Sequence, residues 1–193
     1  MKRSMSKKCF TAAAFLIVAG GIFFSSLVQA QPAEDAQKLL GQYNRLYKEG
    51  RYREAIPVAE KLLAIDEKAL GPDHPDTANS LNNLALLYSE LGDYTKAGSC
   101  YRRVLAIWEK TLGPGHPDTA TCLNNLALVY DELGDYTKAE SCYRRALAIW
   151  EKSLGPGHPK TAIALNNLSR LYRSTGDYAR AEPLWRRSLR VRV

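Results

Sequence analysis

Histidine is the first residue type in this chain whose spacing could support chemistry, in this case metal binding. His74, His116 and His158 recur every 42 residues, and each precedes a proline. If they lie on successive packed helix pairs, equivalent residues are ~20 Å apart, because packed helices are separated by about 8–10 Å. Zinc requires each histidine nitrogen within about 2 Å of the metal. We therefore expect no shared metal site, and we expect these histidines to stabilise links by packing or capping.

Asparagine pairs recur at the same step and could bind a peptide. Asn82, Asn124 and Asn166 each begin an Asn-Asn pair. Asparagine is a mediocre helix former, whereas its amide can donate to and accept from a peptide backbone at once. A row of these amides could hold an extended ligand. Alternatively, one residue of each pair bonds to the neighbouring helix; the candidates for that role are Asn83, Asn125 and Asn167.

Groups that usually carry catalysis do not stand apart from the repeat pattern. The sequence offers no Ser-His-Asp arrangement, no glycine-rich phosphate loop and no isolated acid pair. We expect no enzyme activity and no cofactor. Cys100 and Cys142 occupy an apolar core position and are expected to be inert. For Cys122, a disulfide to one of them or to another chain is the alternative. Trp108 and Trp150 are expected to be packing residues.

The whole pattern reflects an internal repeat of 42 residues. Residues 81–122 and 123–164 differ at only eight positions, and three Leu-Asn-Asn-Leu segments begin at Leu81, Leu123 and Leu165. We assign four repeats, at about 37–80, 81–122, 123–164 and 165–193, with the last truncated. The first is degenerate, as expected of a capping repeat, and an exposed apolar edge near Leu184, Trp185 and Leu189 is predicted at the other end.

Each repeat is predicted to contain two helices. Leu123, Leu126, Ala127 and Tyr130 form a stripe at helical spacing. Gly134-Asp135 ends that helix, and the Asp135 carboxylate is placed to cap the next one. Gly155 suits a left-handed C-cap, and Pro159 suits the first turn of the following helix. Stacked pairs bury their stripes against their neighbours, so we predict an all-α, right-handed α-solenoid of antiparallel helix pairs with a concave face.

The first thirty residues have the composition of a secretory signal peptide. Four positive residues precede an apolar stretch from Phe10 to Val28, and Val28-Gln29-Ala30 resembles a cleavage site. We expect cleavage after Ala30, a short linker at 31–36, and a periplasmic or secreted protein. The alternative is an uncleaved membrane anchor, because the stretch approaches the ~20 residues that span a bilayer.

Charge argues against nucleic acid as a partner. The formal net charge of +7 falls to +3 when the four positive residues of the signal peptide are removed, and residues 160–193 alone carry +6. The basic character is therefore local, and export makes nucleic acid an improbable ligand. The terminal arginines are expected to form a solvated helix face; an acidic partner or anionic headgroups are the alternative.

These residues resemble the tetratricopeptide repeat family. The family pattern is met by Leu81, Leu84, Ala85, Tyr88, Gly92, Tyr94, Ala97 and Tyr101, and again from Leu123 to Ala146. The 42-residue length and the Leu-Gly-Pro-x-His-Pro link look like the kinesin light chain subtype. The resemblance covers about residues 37–193. It implies binding of a peptide or protein segment in the concave groove, which the first helix of each repeat lines.

Carried over by position, the implied groove contains nine residues that fall into three rows. They are Asn82, Asn124 and Asn166, then Leu86, Leu128 and Arg170, then Ser89, Asp131 and Arg173. The lysine with which family members that bind chaperones hold a terminal carboxylate is missing here. A protein or peptide partner in this groove is the main hypothesis. The alternatives are self-assembly through the C-terminal edge, giving a homo-oligomer, and a place within a longer repeat array.

Overall fold

The computed structural model describes residues 36–191, and this range contains eight helices and no strand. The described part of α1 covers residues 36–48. The other helices are α2 (Tyr52–Leu70), α3 (Pro75–Glu90), α4 (Tyr94–Thr111), α5 (Pro117–Glu132), α6 (Tyr136–Leu154), α7 (Pro159–Ser174) and α8 (Tyr178–Val191). The odd-numbered helices are the first helices of the four pairs. The signal peptide assigned to residues 1–30 lies outside the described residues. Among those described, no helix has the length and apolarity to span a membrane.

Polar side chains begin the helices as predicted. Asp135 accepts a hydrogen bond from the backbone N–H of Lys138 at 3.2 Å, and Asp93 does the same at the start of α4. His116 Nδ1 accepts from the N–H of Asp118 at 3.2 Å. His74 and His158 make the equivalent bond. Since the first N–H groups of a helix lack intrahelical partners, the histidines act as caps, which confirms the capping interpretation.

The links between pairs are fixed by a buried threonine that sequence reasoning did not identify. The threonine Oγ1 donates to a glycine carbonyl six residues earlier, at 2.7 to 3.0 Å, in the pairs Thr77–Gly71, Thr119–Gly113 and Thr161–Gly155. The three threonines are fully buried. Gly155 has φ 90°, a region that side chains disfavour. Each link therefore turns in the same way and sets the same step between pairs.

The core is a row of apolar clusters shared by consecutive helices. One cluster joins α1, α2 and α3, the next joins α3, α4 and α5, and the third runs from α5 to α8. Tyr101 and Tyr143, equivalent residues of α4 and α6, are 1% and 0% exposed because the first helix of the next pair covers them. This arrangement confirms the predicted right-handed α-solenoid.

Trp108, Trp150 and the three described cysteines belong to this core. Trp150 is 2% exposed, and its Nε1 donates to the carbonyl of Pro117 at 3.1 Å. The Cys122 thiol donates to the carbonyl of Tyr101, and burial raises the pKa of Cys122 to about 12. Cys100, Cys122 and Cys142 are all free. Protonated, buried thiols pack as small apolar groups, so the three cysteines fit the packing interpretation.

The two ends of the described array differ in polarity. In α1, Gln42 and Arg45 stand where α5 has the buried Leu126 and Val129, so the outer side of α1 is polar. In α8, Trp185 is 47% exposed and Leu189 is 44% exposed. The predicted exposed apolar surface is thus confirmed on α8, and the polar outer side of α1 explains the divergence of the first repeat.

Candidate functional site

The first helices contact one another side by side, and the surface they form is called the groove face here. Asn167 Nδ2 of α7 donates to Asn124 Oδ1 of α5 at 3.0 Å. Arg170 and Asp131 form an ion pair at 3.2 Å between the same helices. At the other end, the Tyr43 hydroxyl donates to the carbonyl of Asn83. Neighbouring repeats therefore present their first helices as one continuous surface.

The two asparagines of a pair have different surroundings. Asn124 is 6% exposed, and its amide oxygen is already occupied by Asn167. Asn125 is partly exposed and lines a depression between α3 and α5. The bond from Asn167 matches the alternative in which the second asparagine of a pair holds the neighbouring helix. At the middle repeat, it is Asn125 that faces open space.

Asn82 and Asn166, the other two residues predicted in that row, are partly exposed. The amide oxygen of Asn82 is buried and accepts no hydrogen bond within the described range. A buried acceptor without a donor is costly. The three asparagines at the first position of each pair therefore differ in environment, although their sequence context is nearly the same.

Leu86 and Leu128 lie close together in the structure. They line one depression of about 230 Å³, together with Tyr101, Asn125 and Val129. Both leucines are partly exposed, whereas Val129 and Tyr101 are buried beneath them. Burial raises the pKa of the Tyr101 phenol, so its hydroxyl stays protonated at neutral pH. The depression combines an apolar floor with polar groups at its sides.

Asp131 and Arg170 form the most buried charged contact on the groove face. The Asp131 side chain is only 14% exposed, and that of Arg170 is 52% exposed. Burial raises the pKa of Asp131, and the attraction of Arg170 opposes that change without cancelling it. The two predicted residues therefore bind each other across the repeat boundary.

Arg173 lies apart from the other predicted residues. It lines a second depression of about 330 Å³ with Ser169, Tyr178 and Trp185, between α7 and α8. Most of the other C-terminal arginines are paired inside the chain: Arg180 with Asp177 and Glu140, Arg186 with Glu182, and Arg187 with Glu151. This pairing fits the solvated-face interpretation of the basic C-terminal region.

Sequence reasoning missed several residues of the depression between α3 and α5, including the buried Tyr101 and Val129. Glu90 and Glu132 lie at its rim, and Tyr94 contributes to its wall. The two glutamates are 42 residues apart, and each is the last residue of a first helix. Their recurrence at that position was the available signal.

The raised pKa of Asp131 predicts how stability depends on pH. An acid whose pKa is raised by folding contributes stability that is complete below the ordinary carboxyl pKa of about 4 and is lost as the pH rises through the raised value. The unfolding free energy of the wild type, measured relative to Asp131→Asn by denaturant titration, should therefore fall as the pH rises toward neutrality. Arg170→Leu introduces the residue found at the equivalent position of the preceding repeat and removes the attraction that opposes the raised pKa of Asp131. In that variant the unfolding free energy should fall more steeply with pH. An unfolding free energy of the wild type that rises with pH relative to that of Asp131→Asn would contradict this prediction.

Comparisons with known proteins agree with this geometry. The tetratricopeptide repeat model matches residues 44–97, 87–149 and 132–192. The crystal structure of BtubC (BKLC) from P. vanneervenii is similar with a TM-score of 0.74 and 25% identity, covering 98% of this chain and 74% of that one. A putative kinesin light chain of Podosopora anserina, with nearly identical TPR-like repeats, has a TM-score of 0.69 and 26% identity, covering 81% and 74%. No curated protein sequence matches.

A third structure shares the fold alone. The apo form of RapI is 21% identical with a TM-score of 0.73, covering 82% of this chain and 56% of that one. The matched family segments together run from residue 44 to 192, which is most of the chain, and the kinesin light chain-like neighbours confirm the resemblance of the 42-residue repeats. The chain belongs to the tetratricopeptide repeat family.

Proposed function

We propose that this chain is an exported protein-interaction module or scaffold that holds an extended segment of a partner protein in its concave groove. Tetratricopeptide repeats generally act as non-catalytic interaction scaffolds, and the repeats account for most of the chain. The proposal rests mainly on the depression between α3 and α5. Its partly exposed leucines, Leu86 and Leu128, and the partly exposed amide of Asn125 line this depression.

The chemistry of the groove face suits a peptide. Leu86 and Leu128 provide apolar contact, and Asn125 can both donate to and accept from a backbone. Within the described residues, no group of three or more histidines, cysteines or acids is placed to hold a metal. Partner binding on the groove face therefore involves side-chain packing and amide hydrogen bonds.

Groove binding is tested by capture of partners from the exported-protein fraction of the source cell. The full chain with a C-terminal tag is the bait, and Leu86→Ala/Leu128→Ala is the groove variant. Both leucines are half-buried, so the variant should fold and its circular dichroism spectrum should stay helical. Loss of their contacts with the partner should reduce partner retention about tenfold or more. The matched control is Leu112→Ala/Leu133→Ala, two exposed leucines outside the first helices. Equal capture by the groove variant and the wild type would refute groove binding.

Export is supported by the composition of residues 1–30, a positive start followed by an apolar stretch and a small-residue site. When the full chain is expressed in a bacterium, we expect it outside the cytoplasm with Gln31 as its first residue. Intact mass and N-terminal sequencing check both points. A chain that keeps Met1 and stays with the membrane would favour the anchor, and one in the cytoplasm would refute export.

Self-assembly is a second candidate function, and the exposed side of α8 favours it. Trp185 and Leu189 are about half exposed, whereas their counterparts Tyr143 and Leu147 in α6 are 0% and 8% exposed beneath α7. The outer side of α1 differs, because Gln42 and Arg45 stand there in place of the apolar residues of α5. Two α8 helices meeting around a two-fold axis would cover the surface on both copies.

Light scattering tests self-assembly. We expect a dimer at micromolar concentration for the full chain and a monomer for Trp185→Glu, because the variant loses the apolar area of Trp185 and places a charged side chain at the two-fold contact. Leu133→Glu, another exposed apolar residue, is the control and should stay dimeric. A wild type that is strictly monomeric would exclude this function and leave the groove proposal unaffected.

A further inference from the structure

The depression between α3 and α5 has a negative rim above an apolar floor. Leu86, Leu128 and Val129 form the floor, and Glu90 and Glu132 stand at the rim. At about 230 Å³ the depression is smaller than the ~300–1,000 Å³ of pockets that hold small molecules. Its size fits a single side chain of a bound segment.

Glu90 and Glu132 lack the partners that comparable acids have. Along the second helices, Glu67, Glu109 and Glu151 each accept from an arginine of the next repeat. Glu90 and Glu132 are exposed, and neither forms an ion pair within the described part of the chain. The recurring lysines Lys96 and Lys138 are already bound to Asp93 and Asp135. Two carboxylates at the rim therefore remain available to a cation.

The position of these glutamates is unfavourable in the unbound protein. Each is the last residue of its helix, and neither α3 nor α5 has a basic residue in its last turn. The helix dipole places partial negative charge at that end, so cations are favoured there and anions are not. A bound cation would be attracted by both carboxylates and by both helix ends.

The equivalent place one repeat on already holds a guanidinium of the chain itself. Arg170 of α7 occupies the position that Leu128 has in α5, and its guanidinium pairs with Asp131 at 3.2 Å. Arg170 also interacts electrostatically with Tyr143, the counterpart of Tyr101. Between α3 and α5 the position of Arg170 is taken by Leu128 and that of Asp131 by Ser89, so the charged groups that line this site are Glu90 and Glu132, without an internal arginine.

We infer that the depression between α3 and α5 binds a lysine or arginine side chain of the partner segment. The methylenes of that side chain would lie on Leu86 and Leu128, and its charge would be attracted by the carboxylates of Glu90 and Glu132, which line the same depression. This inference rests on the proposed function and adds a chemical identity to the partner: an extended segment with a basic residue at one fixed position. Acidic or phosphorylated side chains are repelled at the same place.

A library of random-sequence peptides displayed on phage tests the inference with the full chain. Peptides selected by the wild type should share a lysine or arginine at one position. In a synthetic peptide of the selected sequence, replacing that residue by norleucine should weaken binding about tenfold. Glu90→Gln/Glu132→Gln should weaken the basic peptide about tenfold and leave the norleucine peptide unchanged.

The matched control is Asp73→Asn/Asp118→Asn, which changes the net charge equally. Asp118 is in the first turn of α5, whereas Glu132 ends that helix, so the two are ~20 Å apart at 1.5 Å per residue. The control should bind the basic peptide like the wild type. Selected peptides without a basic residue, or full binding by Glu90→Gln/Glu132→Gln, would overturn this inference. If selected peptides without a basic residue still required Leu86 and Leu128 for binding, groove binding would stand. A library that yields no groove-dependent binders would overturn both groove binding and this inference.

Discussion

Burial across the boundary between helix pairs is the interaction on which the rest of this structure depends. The first helix of a pair cannot cover the outer side of the second helix, so the next pair has to cover it. Tyr143 of α6 is fully buried because α7 lies against it. Every internal pair therefore needs its successor. One side of each first helix packs against the preceding pair, and the opposite side forms the groove face. Residues there are released from core packing, which is why Leu128 and Arg170 can occupy equivalent positions.

Helix order, caps and core could be predicted from the sequence because they depend on local spacing. Asp135 caps α6 and Pro159 begins α7, as expected, whereas Gly155 ends α6 with φ 90° and ψ 163°, which is outside the left-handed helical region that was predicted. Each histidine accepts a hydrogen bond at the start of the helix that follows its own link, as the capping interpretation expects. These features require only that the chain be helical at a known period, which the 42-residue repeat establishes.

Contacts between repeats were harder to predict, because they depend on how far each first helix is rotated about its axis. Neighbouring residues on a helix point about 100° apart at 3.6 residues per turn, so a small rotation decides whether Asn124 or Asn125 faces inward. The stacking offset likewise decides that Asp131 meets Arg170. The Thr161–Gly155 bond depends on the path of the link. None of these quantities is visible in residue spacing, so the groove was predicted as a surface and its individual contacts were not.

The near identity of the two central repeats has a consequence for how such a protein changes length. The residues at the boundary between α4 and α5 and those at the boundary between α6 and α7 are almost interchangeable, as Leu126 and Leu168 illustrate. Loss or duplication of one 42-residue unit would join surfaces that already fit. The length of the groove face is thereby open to adjustment in whole units by genetic recombination, without redesign of any packed boundary.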